Sequence, residues 1–247
     1  MNIVEQQKRY KFDATGFLLE RNFLSKQENE EIVRLWPTMN FFQEDWHDHQ
    51  TKENRIHEKY EAFRALQKRI SKHSNTQLFI SYPHRILESY AFARTAGDLD
   101  LHGGPAEHLV SGAARDASAH HWVMNDQIYT LRLKVLIYLD DVETVDDGAF
   151  MYVEGSHKSH FSFHEAFPDG RDSAPDLIRT LSIQAGDAIW LNEALMHGAH
   201  LKTGDLPRRI AAFTFGPTFM SDWQDIEPDA EKSGYVATET ESRDEHK

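Results

Sequence analysis

The run from Ile128 to Leu139, IYTLRLKVLIYL, constrains the fold more than any other stretch. In an extended chain Leu131, Leu133, Val135, Ile137 and Leu139 share one face, and Arg132, Lys134, Leu136 and Tyr138 share the other. Alternation over this length, rich in β-branched and aromatic residues, specifies a strand rather than a helix. RRIAAFTF repeats the pattern, with Arg208, Ile210, Ala212 and Thr214 on one face. LDLHGG and AFMYVEGSH add two shorter strands, and LSIQAGDAIWLNEALMHGA reads as a strand, a Gly186–Asp187 turn and a strand ending near His197.

Upstream the character differs. Residues 12–24 read as a short strand, a turn at Gly16 and an apolar stretch. Ser25 with Glu28 forms a capping box, opening a helix that carries Ile32, Val33, Leu35 and Trp36 and stops at Pro37. Residues 38–57 are polar and read as a surface loop, in which His47 and His49 are too isolated to specify a metal site. From Thr51 to His73, Ile56, Tyr60, Phe63, Leu66 and Ile70 recur at spacings of three and four, predicting an amphipathic helix. NTQLFISY is a strand candidate ending at Pro83, and RILESYAFA is a helix or an extended segment.

Helices first, then short strands punctuated by Gly and Asp, is the order of a double-sheet barrel with helices packed outside. The expectation is a mainly β chain with flanking helices, a jelly roll with N-terminal α-helices. It forms one domain over 1–220 with core strands at about 76–219, followed by a partly ordered acidic tail over 221–247. Residues 105–127 and 157–179 are long insertions, the usual form of lids over a site.

Charge and composition exclude several classes. The net charge of −13 argues against a nucleic-acid partner. No run of eighteen apolar residues offers a membrane span, and the polar start of the chain has no signal-peptide core, so a cytoplasmic protein is expected. With no cysteine there is no disulfide framework and no thiolate metal site. No phosphate-cradling glycine loop, dinucleotide fingerprint or nucleophile elbow is present. The partner expected is a small molecule, and the oligomeric state is not legible.

Among fifteen histidines, only spacing and context single any out. His102 lies in LDLHGGP, His197 lies 95 positions later, and Arg208 follows His197 by eleven. Imidazoles suit iron, zinc, copper and nickel alike. A guanidinium on the next strand offers a planar fork for a carboxylate, or is simply a surface cation beside Arg209. His200 lies three residues after His197, so in an extended strand the two face opposite ways.

The segments FDATGFLLERNFLSKQENEEI, LDLHGGP, LIYLDDVETVDDGAFMYVEGSHKSHF and GDAIWLNEALMHGAHLKTGDLPRRIAAFTF together resemble the phytanoyl-CoA dioxygenase family of iron(II)- and 2-oxoglutarate-dependent oxygenases. The resemblance spans nearly the whole chain, weakest in 38–80 and after 220. It implies a double-stranded β-helix, with His102 and His197 as iron ligands and Arg208 as the anchor of 2-oxoglutarate. It also implies dioxygen as co-reactant and attack on an unactivated C–H bond of a small molecule.

Two positions depart from the family pattern. Glu154 replaces the proline usual before GSHK, a minor change. Gly104 replaces the carboxylate that completes the usual two-histidine, one-carboxylate triad. Another acid can stand in: Asp100 on the same strand face as His102, or Glu107 or Asp116 in the following insertion. Alternatively Gly104 leaves the position open for water or a halide such as chloride, as in the iron/2-oxoglutarate halogenases, which the H-x-G pattern resembles. In a third case the protein is a non-catalytic small-molecule binder on the same barrel. His120 or His121, Lys134, Trp190 and Asn192 are candidates for lining the pocket, Trp190 being equally suited to core packing. Arg132 is a second cation of the same face as Lys134, and His157 reads as a structural part of the GSHK turn.

Overall fold

The computed structural model describes residues 2–44, 47–105 and 121–219. Thirteen strands among them are β1 (Phe17–Glu20), β2 (Phe42–Glu44), β3 (His47–Asn54), β4 (His84–Arg94), β5 (Gly97–His102), β6 (His121–Met124), β7 (Gln127–Thr130), β8 (Leu133–Tyr138), β9 (Phe150–Val153), β10 (Ile178–Leu181), β11 (Ala188–Asn192), β12 (His197–Lys202) and β13 (Arg208–Pro217). They form a seven-stranded sheet ordered β1-β11-β8-β13-β4-β3-β2, a four-stranded sheet ordered β10-β9-β12-β5, and the separate hairpin β6-β7. Every strand pair is antiparallel, and the two large sheets form the jelly roll expected from the sequence.

The two faces of the larger sheet bury different things. Leu133, Val135 and Ile137 of β8, Ala211, Phe213 and Phe215 of β13, and Trp190 of β11 pack in one core with Phe12, Phe63, Leu66, Ile70 and Phe79 from the helices. Leu136 and Tyr138, Ile210 and Ala212, and Ile189 and Leu191 point the other way. There they meet Phe150 and Tyr152 of the smaller sheet. The alternation in the sequence thus separates a helix-covered side from a barrel interior.

The helices are α1 (Ile3–Thr15), α2 (Lys26–Leu35), α3 (Ile56–Lys59), α4 (Glu61–Lys72) and α5 (Ser74–Phe79). The capping box forms as read: the Glu28 amide donates to Ser25 Oγ at 3.2 Å, and the Ser25 amide donates to Glu28 Oε2 at 2.8 Å.

Several local expectations are corrected. Residues 12–15 finish α1 rather than forming a strand, because Gly16 at φ +85° ends the helix with its amide on Phe12 O. The polar segment after Thr38 supplies β2 and β3, outer strands of the sheet, whose polar side chains hid their sheet character. NTQLFISY is largely α5, with Thr76 and Phe79 buried against the larger sheet. The run 128–139 is two strands in different sheets, β7 and β8, broken at Leu131–Arg132. His197 begins β12 rather than ending a strand. The insertion over residues 157–179 holds short helical turns. Glu107, Asp116 and His120, most of the 105–127 insertion and the acidic tail lie outside the described residues. No helix among the described residues is long and apolar enough to cross a membrane.

Candidate active site

The site forms where β5 ends and β12 begins. His102 and His197 are direct partners across that antiparallel pair, so their side chains leave the sheet together. The ring centroids are 4.3 Å apart with planes inclined at 50°. The approach of the two strands depends on Gly198, where a Cβ would lie 2.4 Å from Leu99 O and 2.9 Å from Asp100 O.

Both imidazoles are oriented in the same way. His102 Nδ1 is 3.0 Å from the Asp100 carbonyl and His197 Nδ1 is 2.7 Å from the Leu195 carbonyl. A carbonyl only accepts, so each Nδ1 carries the proton and each Nε2 keeps its lone pair for a metal. Burial, followed by the neighbouring His102, holds His197 well below the usual imidazole range. It is therefore neutral, the form in which histidine ligates.

The turn that delivers His197 also positions Gly104. Its amide donates to Ala194 O at 2.9 Å, and the Cβ of any residue at 103 would lie 2.6 Å from Leu195 O. Gly103 and Gly104 have φ values of +94° and +91°, a conformation open to glycine and strained for other residues. The missing carboxylate thus coincides with a backbone conformation that disfavours a side chain at Gly104. Among the described residues no third His, Asp or Glu, Asp100 included, groups with the pair at metal-binding range.

Arg208 opens β13 on the interior face, fully buried in line with Ile210 and Ala212. Its Nη1 donates to Gly148 O, and its Nε meets no acceptor among the described residues. Burial lowers its pKa, and no carboxylate among those residues neutralises it. A buried, unneutralised guanidinium with an orphaned N–H is costly unless an anion joins it. The two imidazoles and this arginine therefore fit a divalent metal and a carboxylate-bearing cosubstrate.

A charged cluster lies beside the histidines. Lys134 of β8 points into the barrel and pairs with Glu193, which Arg132 Nε also meets at 2.5 Å. Glu88 of β4 accepts from Thr214 Oγ1 at 3.1 Å and lies 3.6 Å from Lys134 Nζ and 3.7 Å from Arg132. Burial works to raise Glu193, but Arg132 and Lys134 outweigh it and keep the carboxylate ionised. Burial likewise opposes the Lys134 charge, and Glu193 more than restores it.

The other pocket candidates fall elsewhere. Trp190 is on the helix side, stacked on His73 with its indole N–H on Thr76 Oγ1 at 3.1 Å, so it is core rather than pocket. Asn192 accepts the Ala194 amide at 3.0 Å and shapes the turn before His197. His121 Nε2 lies 2.9 Å from Asp13 of α1, and His157 donates from Nε2 to the Asp13 carbonyl at 3.0 Å, tying the GSHK turn to that helix. His200 points away from the pair, to Thr180 Oγ1 at 2.8 Å. His49 is exposed. Glu88 and Glu193 were not singled out from the sequence. Their signal was present in the alternation of ESYAFAR and in the position of Glu193 in the turn before His197.

The family model for phytanoyl-CoA dioxygenase (PhyH) matches residues 12–210. The chain belongs to this family. As a PhyH protein it is an iron(II)- and 2-oxoglutarate-dependent oxygenase. Its structure is similar to HygX from Streptomyces hygroscopicus with nickel and 2-oxoglutarate bound, at 29% identity over 88% of this chain and 89% of HygX, with a TM-score of 0.82. HygX with nickel, 2-oxoglutarate and hygromycin B bound aligns at 30% identity, with the same coverages and a TM-score of 0.81. The carbocyclase SnoK from nogalamycin biosynthesis shares the fold at 16% identity, covering 94% of this chain and 90% of SnoK with a TM-score of 0.65. No curated protein sequence matches this PhyH chain.

Proposed function

We propose that this protein binds iron(II) through His102 and His197, holds 2-oxoglutarate with Arg208, and hydroxylates an unactivated C–H bond of a small, hydroxyl- and amine-bearing molecule. The observation that carries the reading is the pairing of two adjacent histidines, each with Nδ1 on a backbone carbonyl, with a buried guanidinium that no carboxylate among the described residues neutralises. Iron and 2-oxoglutarate, with dioxygen, supply the oxidising chemistry. The chain's own groups prepare it. The Asp100 and Leu195 carbonyls fix both imidazole planes before any metal arrives. Arg208 orients the distal carboxylate by its planar fork. Leu136, Ile210, Ala212 and Phe150 line the interior with apolar surface that keeps water out.

The substrate class rests on the charged cluster and on one neighbour. Glu88 presents a carboxylate held through Oε1 by Thr214, close to Lys134 and, through it, to Glu193. Such a surface suits hydroxyl and ammonium donors, and the HygX structure contains hygromycin B. The open position at Gly104 favours a second outcome, transfer of a halide bound in place of the absent carboxylate.

One assay series separates the readings. Purified protein is loaded anaerobically with iron(II) and 2-oxoglutarate, mixed with hygromycin B or related aminocyclitols, and exposed to oxygen with and without chloride. Succinate formation stimulated by an aminocyclitol, with a product 16 mass units heavier (one oxygen atom), supports hydroxylation. A chlorinated product that disappears in chloride-free buffer supports halogen transfer instead. Absence of iron and 2-oxoglutarate binding would reject both and leave a non-catalytic binder.

A further inference from the structure

β11 lies in the larger sheet and β12 in the smaller one. Glu193, Ala194, Leu195 and Met196 alone separate them, so this short crossing sets where His197 stands relative to the larger sheet. Its carbonyls serve both halves of the site. Leu195 O orients His197 through Nδ1 at 2.7 Å, and Ala194 O accepts the Gly104 amide at 2.9 Å, two residues after His102. The far end of the crossing is held around the smaller sheet. The Met196 amide donates to Ser156 Oγ at 2.8 Å, and the Val153 amide of β9 donates to Met196 O at 3.0 Å.

The near end is held by charge. The β11–β8 ladder continues one residue past the Asn192–Leu133 pair, with the Glu193 amide donating to Arg132 O at 3.1 Å. The Glu193 carboxylate meets Lys134 Nζ on Oε1 and Arg132 Nε on Oε2, the latter at 2.5 Å. Its side chain is 11% exposed, with Lys134 at 12% and Arg132 at 7%. Removing one partner from so buried a group leaves the others uncompensated. After burial, the charges that bear on His197 are those of His102, Lys134 and Glu193, so the clamp lies beside the imidazole. Glu88 meets the same two cations from β4, at 3.6 and 3.7 Å.

We propose that Glu193 is a positioning residue for the metal centre: its two-pronged hold on Lys134 and Arg132 fixes the 193–196 crossing, and with it the carbonyls that set His197 and the Gly104 turn. The proposal rests on the reading above, in which His102 and His197 bind the metal. A crossing released at Glu193 keeps its bonds at Met196 but lets Leu195 O and Ala194 O shift, so the imidazoles meet a metal less well oriented. Groups that orient metal ligands in this way change metal affinity by about 10–100-fold. The charged cluster thereby divides: Glu88 faces the substrate, and Glu193 serves the metal.

The test is a titration of the metal-free protein with cobalt(II) alone, whose visible ligand-field bands report the geometry of its donors. Glu193→Gln keeps the size of the side chain and is expected to weaken cobalt(II) at least about tenfold and to alter those bands. Glu88→Gln removes an equal charge from the same cluster and is expected to bind cobalt(II) like wild type. The double variant Lys134→Met, Glu193→Gln covers the case in which Glu193→Gln misfolds. It removes one charge of each sign, and with the hold still absent it is expected to stay at least about tenfold weaker than wild type. Folded Glu193→Gln with wild-type affinity and bands overturns the proposal, whatever its melting temperature. Wild-type affinity in the double variant, or an equal loss in Glu88→Gln, overturns it too, since either makes charge balance rather than position the cause. If wild type binds no cobalt(II), the underlying reading fails instead.

Discussion

Gly104 combines two features: it carries no carboxylate where the family pattern has one, and it closes a turn at φ +91° with its amide on Ala194 O. From the sequence only the first was visible, as a carboxylate missing from a known pattern. The second depends on backbone angles that a residue name does not specify. The two make different predictions for Gly104→Asp. A non-glycine side chain in this region costs about 1–3 kcal/mol, so Gly104→Ala and Gly104→Asp are expected to lower the melting temperature equally. The altered backbone is expected to direct the new carboxylate away from the metal, so Asp should gain no iron(II) affinity over Ala in an anaerobic titration. Tighter binding by Gly104→Asp alone would show that the carboxylate still reaches the site. Gly198→Ala is a sharper case, because its Cβ would overlap Leu99 O at 2.4 Å. Overpacking of this kind costs about 1–3 kcal/mol. Here it forces β12 from β5, so metal affinity should fall along with stability.

At the scale of elements, the legible parts were those with one face buried in apolar contacts. The alternation on β8 and β13 was readable because Leu133, Val135, Ile137, Ala211 and Phe213 face helices while their neighbours face the interior. β2 and β3 were not readable, because outer strands carrying Gln43, Gln50, Lys52 and Glu53 resemble a loop in composition. α5 was misread because six residues give too little periodicity to distinguish a buried helical turn from a strand. One junction has a pH signature. His157 in the GSHK turn is buried beside His121, with Asp13 from α1 and Lys158 from the turn completing the group. Burial, then the neighbouring His121, pushes His157 down to about 4. Its folded pKa lies below the ordinary 6.5, so between those values the unfolded chain binds the extra proton. Stability contributed by neutral His157 is therefore full above about 6.5 and is lost as pH falls towards 4. Wild type is expected to lose more stability than His157→Gln between pH 7 and 5, by roughly 1–2 kcal/mol in denaturant titrations. Parallel pH profiles for the two proteins would reject this assignment.

Across the whole molecule, the proposed ligands connect what the fold keeps apart. His102 and His197 belong to the smaller sheet, whereas Arg208 belongs to the larger one. A metal alone ties β5 to β12, which are already paired. 2-Oxoglutarate, chelating the metal at one end and meeting Arg208 at the other, would join the two sheets across the interior. Binding that is confined to the folded state adds about 2.7 kcal/mol at a free ligand concentration of 100 times Kd. At about 2–4 °C per kcal/mol for a domain of this size, that corresponds to a rise of about 5–10 °C in Tm. The expected pattern is not additive. Nickel(II) alone should raise Tm, 2-oxoglutarate alone should do little because half its contacts need the metal, and the two together should exceed the sum. Arg208→Gln should keep the metal increment and lose the synergy. His197→Ala should lose both increments, although Arg208 remains in place. Equal, additive shifts from metal and 2-oxoglutarate in differential scanning fluorimetry would mean that the two occupy unconnected sites, and would remove the sheet-bridging ligand from this account of the barrel.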